Sequence, residues 1–236
     1  QEGGRVRRLR PPLVQDYPPG AVYGKLHAGE REAGLRAAWL CGRLIGADLA
    51  DLGITVDCLP IVDVPRGDTS DVIGDRAYGT DPEVIARIGR AMTDGLAAAG
   101  VNRISLGGQS LDAAALAFLG REHSADEALR AIAAARQHFA RVSMDLIYAR
   151  TGQSADAWMR ELRSAIDIGL DHMSLYQLTI EPGTGFFTRT RAGETLVADD
   201  DLAADLYEMT GEVMQTAGLH SYEISNYARG DAACRH

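Results

Sequence analysis

Lysine is nearly missing from this sequence: Lys25 stands alone among 236 residues. Cysteine is scarce as well. Cys41, Cys58 and Cys234 are too widely spaced to form a CxxC pair, which argues against a disulfide framework. No apolar run approaches the length needed to span a bilayer, and no charged-then-apolar signal segment opens the chain. An excess of positive charge is missing too. The net charge is −9, with 12 basic and 14 acidic residues over 1–100 and 12 and 19 over 101–236. The acidity therefore sits mainly in the second part, and such a surface disfavours phosphate backbones and anionic membranes. Neither nucleic acid nor membrane is an expected partner. The cluster Arg5, Arg7, Arg8 and Arg10 reads as a polar loop rather than a nucleic-acid contact. A cytoplasmic location is the expectation, and the opening Gln1-Glu2-Gly3-Gly4, without an initiator methionine, reads as the edge of a fragment.

What is present is an alternation of helix and strand patterns. Leu35, Trp39, Leu40, Leu44 and Leu49 recur at helical spacing over residues 30–52, and Gly53 stops that helix before an expected strand over residues 54–62. Residues 82–99 are expected to be helical, opened either by a Thr80–Glu83 capping box or by Asp81 as cap with Pro82 in the first turn. Gly100 ends this helix ahead of an expected strand over 101–106. Ser124 and Glu127 cap a helix over 125–138, followed by a strand over 141–148. Ser154 starts a helix that Gly169 stops before a strand over 172–179. A last helix over 199–217 precedes a strand over 219–224. Helices alternating with short apolar strands imply parallel βα units, about five to six of them, an incomplete TIM-type (β/α) barrel.

Polar residues cluster where those strands end: Asp63, Gly107–Ser110, Asp145, Gln177, Thr179 and Glu223. In parallel βα folds the carboxyl ends of the strands face the ligand. An isolated strand-end Asp caps the following helix about as often as it performs chemistry, so both readings stand.

Three motifs in residues 1–100 resemble family 3 glycoside hydrolases of the β-N-acetylhexosaminidase type: QEGGRVRR over 1–8, LGITVDCLPIVD over 52–63 and VIGDRAYG over 72–79. The resemblance implies sugar binding by Arg8 and Arg76, each offering a planar fork of donors to hydroxyl or acetamido oxygens. A simpler reading pairs Arg76 with Asp75 or Asp71 to order its loop. The family's sugar-binding Asp would stand immediately before Gln1. Its Lys-His-x-Pro-Gly-His-Gly segment, which precedes the acid/base group, would follow Gly100, where this sequence reads VNRISLG. A retaining glycosidase needs both a nucleophile and an acid/base group, so hydrolysis is not expected.

From Val101 the motifs change. VNRISLGGQS (101–110), LGREHS (119–124), MDLIYARTGQ (144–153), SLYQLTIEPGT (174–184) and SYEISNYAR (221–229) resemble the HemW family of radical S-adenosylmethionine (SAM) haem chaperones, relatives of oxygen-independent coproporphyrinogen III oxidase. One departure is Ala149-Arg150-Thr151, where many relatives read Gly-Leu-Pro. The resemblance places SAM contacts on Gln109, Arg121, Asp145 and Thr179, with Asp145 accepting from ribose hydroxyls and Arg121 pairing with a carboxylate. Structural alternatives are an internally hydrogen-bonded Asp145, and an Arg121 paired with Glu122 or Asp126. Cys234-Arg235-His236 is similar to the start of a segment implicated in haem handling, which makes His236 a candidate haem ligand. A [4Fe–4S] cluster is not expected, because three cysteines at 41, 58 and 234 cannot supply a CxxxCxxC motif.

The chain thus reads as a chimera: a glycoside hydrolase-like part over residues 1–100 and a HemW-like part over 101–236. Complete catalysis is not expected. Weak binding of SAM, haem or an N-acetylhexosamine is the expected residue of the parent functions, with an inactive β-N-acetylglucosaminide hydrolase fragment as the alternative. Unmatched inner surfaces would leave sheet edges open to self-association.

Overall fold

Asp81 and Pro82 open the best-defined helix of the first hundred residues. The Asp81 carboxylate accepts the Glu83 N–H at 2.9 Å, and proline at the first helical position has no N–H to leave unsatisfied. Of the two start signals in the sequence, the Asp81 cap is the one used. The computed structural model describes residues 2–4, 7–65 and 73–234, in two units that divide between Val101 and Asn102. No helix among the described residues is long and apolar enough to cross a membrane.

The first unit consists of α1 (Gly20–Gly29), α2 (Arg31–Asp51), a single 3-10 turn (Gly74–Arg76) and α3 (Pro82–Ala98). Glycines let α2 and α3 approach closely. A Cβ on Gly42 would overlap the carbonyl oxygen of Met92, and one on Gly95 that of Trp39. Around this contact Ile45, Ile85, Ile88 and Met92 are almost wholly buried, each side chain contributing about 1.5–3 kcal/mol of transfer free energy. Tyr17 is anchored to α2 by its hydroxyl, which donates to the Asp48 carboxylate at 2.5 Å. Burial, followed by that bond, pushes the Tyr17 phenol well above its ordinary range. The helix α1 carries no clear periodic signal in its sequence. It forms because Gly20 and Gly24 let it lie against the backbone of residues 76–78.

The strand expected over 54–62 is not formed. Residues 54–65 run without regular structure, and Val56 and Val62 are 50% and 53% exposed. An apolar run becomes a strand only where a neighbour takes its backbone N–H and C=O groups. Among the described residues this unit has no strand to pair with.

The second unit runs β1 (Arg103–Gln109), α4 (Ala113–Phe118), α5 (Ala125–Ala135), β2 (Arg141–Tyr148), α6 (Ala155–Asp167), β3 (His172–Gln177), α7 (Gly185–Arg191), α8 (Asp200–Thr216), β4 (His220–Ser221) and β5 (Asn226–Ala228). The Ser124–Glu127 capping box is complete, and Ser154 and Asp199 cap α6 and α8 as their side chains suggest. The five strands form one mixed α/β sheet in the order β1-β2-β3-β5-β4. Only β1, β2 and β3 are parallel, β5 running antiparallel to β3 and β4 to β5. This corrects the expectation of five to six parallel βα units. The last expected strand is cut short at Ser221 because the chain turns back, with Tyr222 N–H bonded to Asn226 O and Asn226 N–H to Glu223 O.

The two faces of the sheet differ in chemistry. Met144, Leu146, Tyr148, Met173 and Leu175 alternate onto a buried face. There Trp158 stacks on Tyr148 with ring centroids 4.7 Å apart and donates its indole N–H to Thr210 Oγ1 at 2.7 Å. The opposite face carries Ser105, Gln109, Ser143, Asp145, His172 and Ser174, because side chains two residues apart share a side of a strand.

Candidate functional site

A bulge at the end of β1 shapes the polar face. Gly107 pairs with Asp145 and Gln109 with Leu146, so Gly108 is an extra residue in the ladder. Gln109 takes φ 63, a left-handed conformation unusual for a side chain-bearing residue. Its side-chain amide consequently folds back over Gly107, where a Cβ would collide with its nitrogen. Two residues from the loop after α4 close on the same spot. Arg121 Nη2 reaches Gln109 Oε1 at a long 3.5 Å, and His123 Nε2–H donates to Gly108 O at 3.1 Å.

Asp145 lies across the ladder from Gly107. Its carboxylate accepts the Ser105 hydroxyl at 2.8 Å, and the Ser174 hydroxyl from β3 supports it from the other side. Partial burial pushes the Asp145 carboxyl above its ordinary value, and the two hydroxyls oppose that shift without cancelling it. Gln109 and Arg121 thus meet at the carboxyl end of β1, with Asp145 midway along the adjacent β2, opposite Gly107. Thr179 makes no hydrogen bond with them among the described residues. It is exposed in the loop beyond β3. The adjoining loop after β2 begins with Ala149 at φ 59, at the position where many HemW-like sequences carry glycine.

Nearer the strands' amino ends a second row of polar groups ties the chain's last described residues to the sheet. Ser143 Oγ and His172 Nδ1 are 2.6 Å apart, His172 Nε2 and the Tyr222 hydroxyl 2.6 Å, and Tyr222 accepts the Cys234 N–H at 3.1 Å. Arg141 pairs with Asp231 at 3.0 Å, and Arg103 donates to Ala232 O. The candidate haem ligand His236 lies outside the described residues. The three cysteines are unpaired, and the described residues hold no group of three metal-binding side chains.

In the first unit Arg76 forms an ion pair with Glu2, both side chains largely buried. This joins the first and third of the hydrolase-like motifs. The sequence offered Asp75 or Asp71 as its partner, but the carboxylate found comes from the opposite end of the unit's sequence, and Asp71 lies outside the described residues. Arg8, the other candidate for sugar binding, is exposed in a bend.

The serines flanking Asp145 and the His123 clamp were not foreseen. Alternation did contain the signal for the serines: Ser105, Ser143, His172 and Ser174 occupy every second position of strands whose other residues are apolar. His123 had none, because a loop residue's contact with a bulge depends on tertiary placement.

The second unit is thus a mixed α/β layer with a five-stranded sheet and polar groups near its strand ends. Residues 1–140 match the family described as Glycosyl hydrolase family 3 N terminal domain, and the chain belongs to that family. It is also similar to Radical S-adenosyl methionine domain-containing protein 1, mitochondrial, of Mus musculus, at 46% identity over 140 residues, covering 59% of this chain and 32% of that protein. Heme chaperone HemW of Mycobacterium tuberculosis (strain CDC 1551 / Oshkosh) is 41% identical over 140 residues, covering 59% and 36%. The chain therefore spans about a third of the length of these curated relatives. Among solved structures, Escherichia coli coproporphyrinogen III oxidase (HemN), titled a radical SAM enzyme, superposes with a TM-score of 0.50 at 23% identity, covering 58% of this chain and 32% of that one. This last likeness concerns the fold. The hydrolase-family match and the HemW-like matches together exceed the chain's length, so they overlap. The resemblance is mixed, hydrolase-like and HemW-like at once.

Proposed function

We propose that this chain is a binding module, an incomplete (β/α) barrel segment that takes up SAM on the open face of its sheet without cleaving it. The observation that carries the reading is the contact of Gln109 with Arg121 at the carboxyl end of β1, with Asp145 opposite Gly107 on the adjacent parallel strand, close to the strand ends where such folds bind ligands. Asp145, ionised, accepts from a ribose diol. Arg121 pairs with the amino acid carboxylate. The Gly107-Gly108 backbone, bare of side chains, lets the adenosyl group approach. Bound to a reduced iron–sulfur cluster SAM is a source of radicals, but cysteines at 41, 58 and 234 do not match the CxxxCxxC donor set, and the binding step needs no cluster.

Equilibrium dialysis of the full chain with labelled SAM tests this. Saturable binding that Asp145→Ala and Arg121→Ala each weaken at least about tenfold supports the assignment. Binding indifferent to both variants, or none at millimolar SAM, sinks it.

A second reading, cleavage of a β-N-acetylglucosaminide, draws on the hydrolase-family match. The pairing of Arg76 with Glu2 weighs against it, since that guanidinium already has a carboxylate partner. Release of a chromogen from a nitrophenyl N-acetylglucosaminide would favour it over the binding module. Haem binding at His236 rests on the HemW-like resemblance alone.

A further inference from the structure

Between α4 and α6 the second unit has an open cavity of about 530 Å³, within the range of small-molecule sites. It is separate from the proposed SAM site: none of Gln109, Arg121 and Asp145 lines it. One wall is apolar, formed by Leu111, Ala114, Ala115 and Phe118. Phe118 is steadied from behind by the ring of Phe186, with centroids 5.4 Å apart. The other wall comes from α6 and the loop after β2, and its polar groups include an engaged ion pair and two donors without partners.

The acceptors are engaged. Glu161 takes the Ser110 hydroxyl and the Leu111 N–H on one oxygen and Arg150 at 3.2 Å on the other. Asp112 accepts the Ala115 N–H at 2.7 Å. The donors are not. Gln153 is 8% exposed, and its carbonyl accepts the Arg150 N–H at 3.3 Å, while its amide nitrogen has no partner. The Arg160 guanidinium, also on the wall, makes no ion pair or hydrogen bond with the described residues. A buried amide donor left unpaired is costly, and a ligand oxygen is one of the few things that relieves it.

An unpaired amide donor and an unpaired guanidinium opposite an apolar wall have a definite complement. We propose that this cavity binds a small carboxylate with a short apolar body, its oxygens held by Arg160 and the Gln153 amide and its body against Phe118 and Leu111. The nearby carboxylates do not repel it, because Glu161 is neutralised by Arg150 and Asp112 is engaged at a helix start.

Phenylacetate is a suitable probe, with phenylacetamide as its uncharged counterpart, titrated into the ¹⁵N-labelled full chain. The expected result is saturable shifts of the amides of 111–118 and 150–153, with affinity about tenfold weaker for phenylacetamide and for phenylacetate on Arg160→Gln. Arg160 is exposed, so this variant leaves the fold intact. Gln153→Met should weaken phenylacetate as well. Equal affinity for acid and amide, an Arg160→Gln variant that binds unchanged, or no saturable shifts at about 10 mM probe would each overturn the assignment. Loss of SAM binding leaves this result untouched, since the two sites share no residue.

Discussion

The side-chain amide of Gln109 occupies the space above the α-carbon of Gly107, two residues earlier in the same strand. A bulge and a left-handed φ of 63 bring it there. Gly107 therefore serves Gln109 directly, and through it the contact with Arg121.

Gly107→Ala follows from this as a first test. The new methyl meets only the far end of a flexible side chain, so it displaces Gln109 without disturbing the sheet. SAM binding by dialysis should weaken about tenfold, while stability in a urea melt changes by less than about 1 kcal/mol. A stability loss as large as that of a core substitution would show that Gly107 is there for packing.

Asp145→Asn should stabilise the protein at neutral pH. Burial raises the Asp145 carboxyl above its ordinary value, so the folded chain holds that proton more tightly than the unfolded one. Stability contributed by the protonated form is complete below the unfolded value of about 3.9 and is lost as pH rises through the raised folded value. The asparagine variant should therefore melt above the parent near pH 7, with the difference closing towards pH 4. The same titration gives the pH range in which Asp145 is ionised, and SAM binding should fall off below it.

The contact between α2 and α3 predicts a loss in the first unit. Gly95→Ala sets a methyl against the Trp39 carbonyl oxygen, and Gly42→Ala sets one against that of Met92. Backbone atoms cannot rotate away, so each should cost about 1–3 kcal/mol in urea denaturation despite alanine's better helix propensity. Stabilisation by either would mean the helices separate without penalty.

The Arg150–Glu161 pair, with side chains 7% and 8% exposed, should behave asymmetrically. Glu161→Ala strands the buried Arg150 charge and should cost about 3–5 kcal/mol, whereas Arg150→Met combined with Glu161→Leu should cost less than that single change. Equal losses would indicate that the hydrogen bonds from Ser110 and Leu111 to Glu161 matter more than the charge pairing.

Local signals were legible wherever one short segment decides the outcome. The Ser124–Glu127 box and the Asp81-Pro82 start needed only neighbouring residues, and each formed where its chemistry indicated. The stretch 54–62 failed because β-structure depends on a partner that its own sequence does not contain. Likewise Leu219–Ile224 has the composition of a strand, but the bonds between residues 222–226 reverse it after two residues. Of the candidate site residues, Gln109 and Arg121 are in contact, Asp145 lies across the ladder from Gly107, Thr179 is exposed beyond β3, and Arg76 is paired with Glu2.

Residue order alone was enough for the starts of α3, α5, α6 and α8, the alternating polar and apolar positions of the three parallel strands, and the mixture of hydrolase-like and HemW-like motifs. These depend on periodicity, capping and residue identity, which are local properties. It took the folded chain to settle which strands found partners, that Glu2 pairs with Arg76, and that Gln109 folds over Gly107. Each of those requires two groups to meet in space, and a meeting of that kind is set by the geometry of the assembled unit.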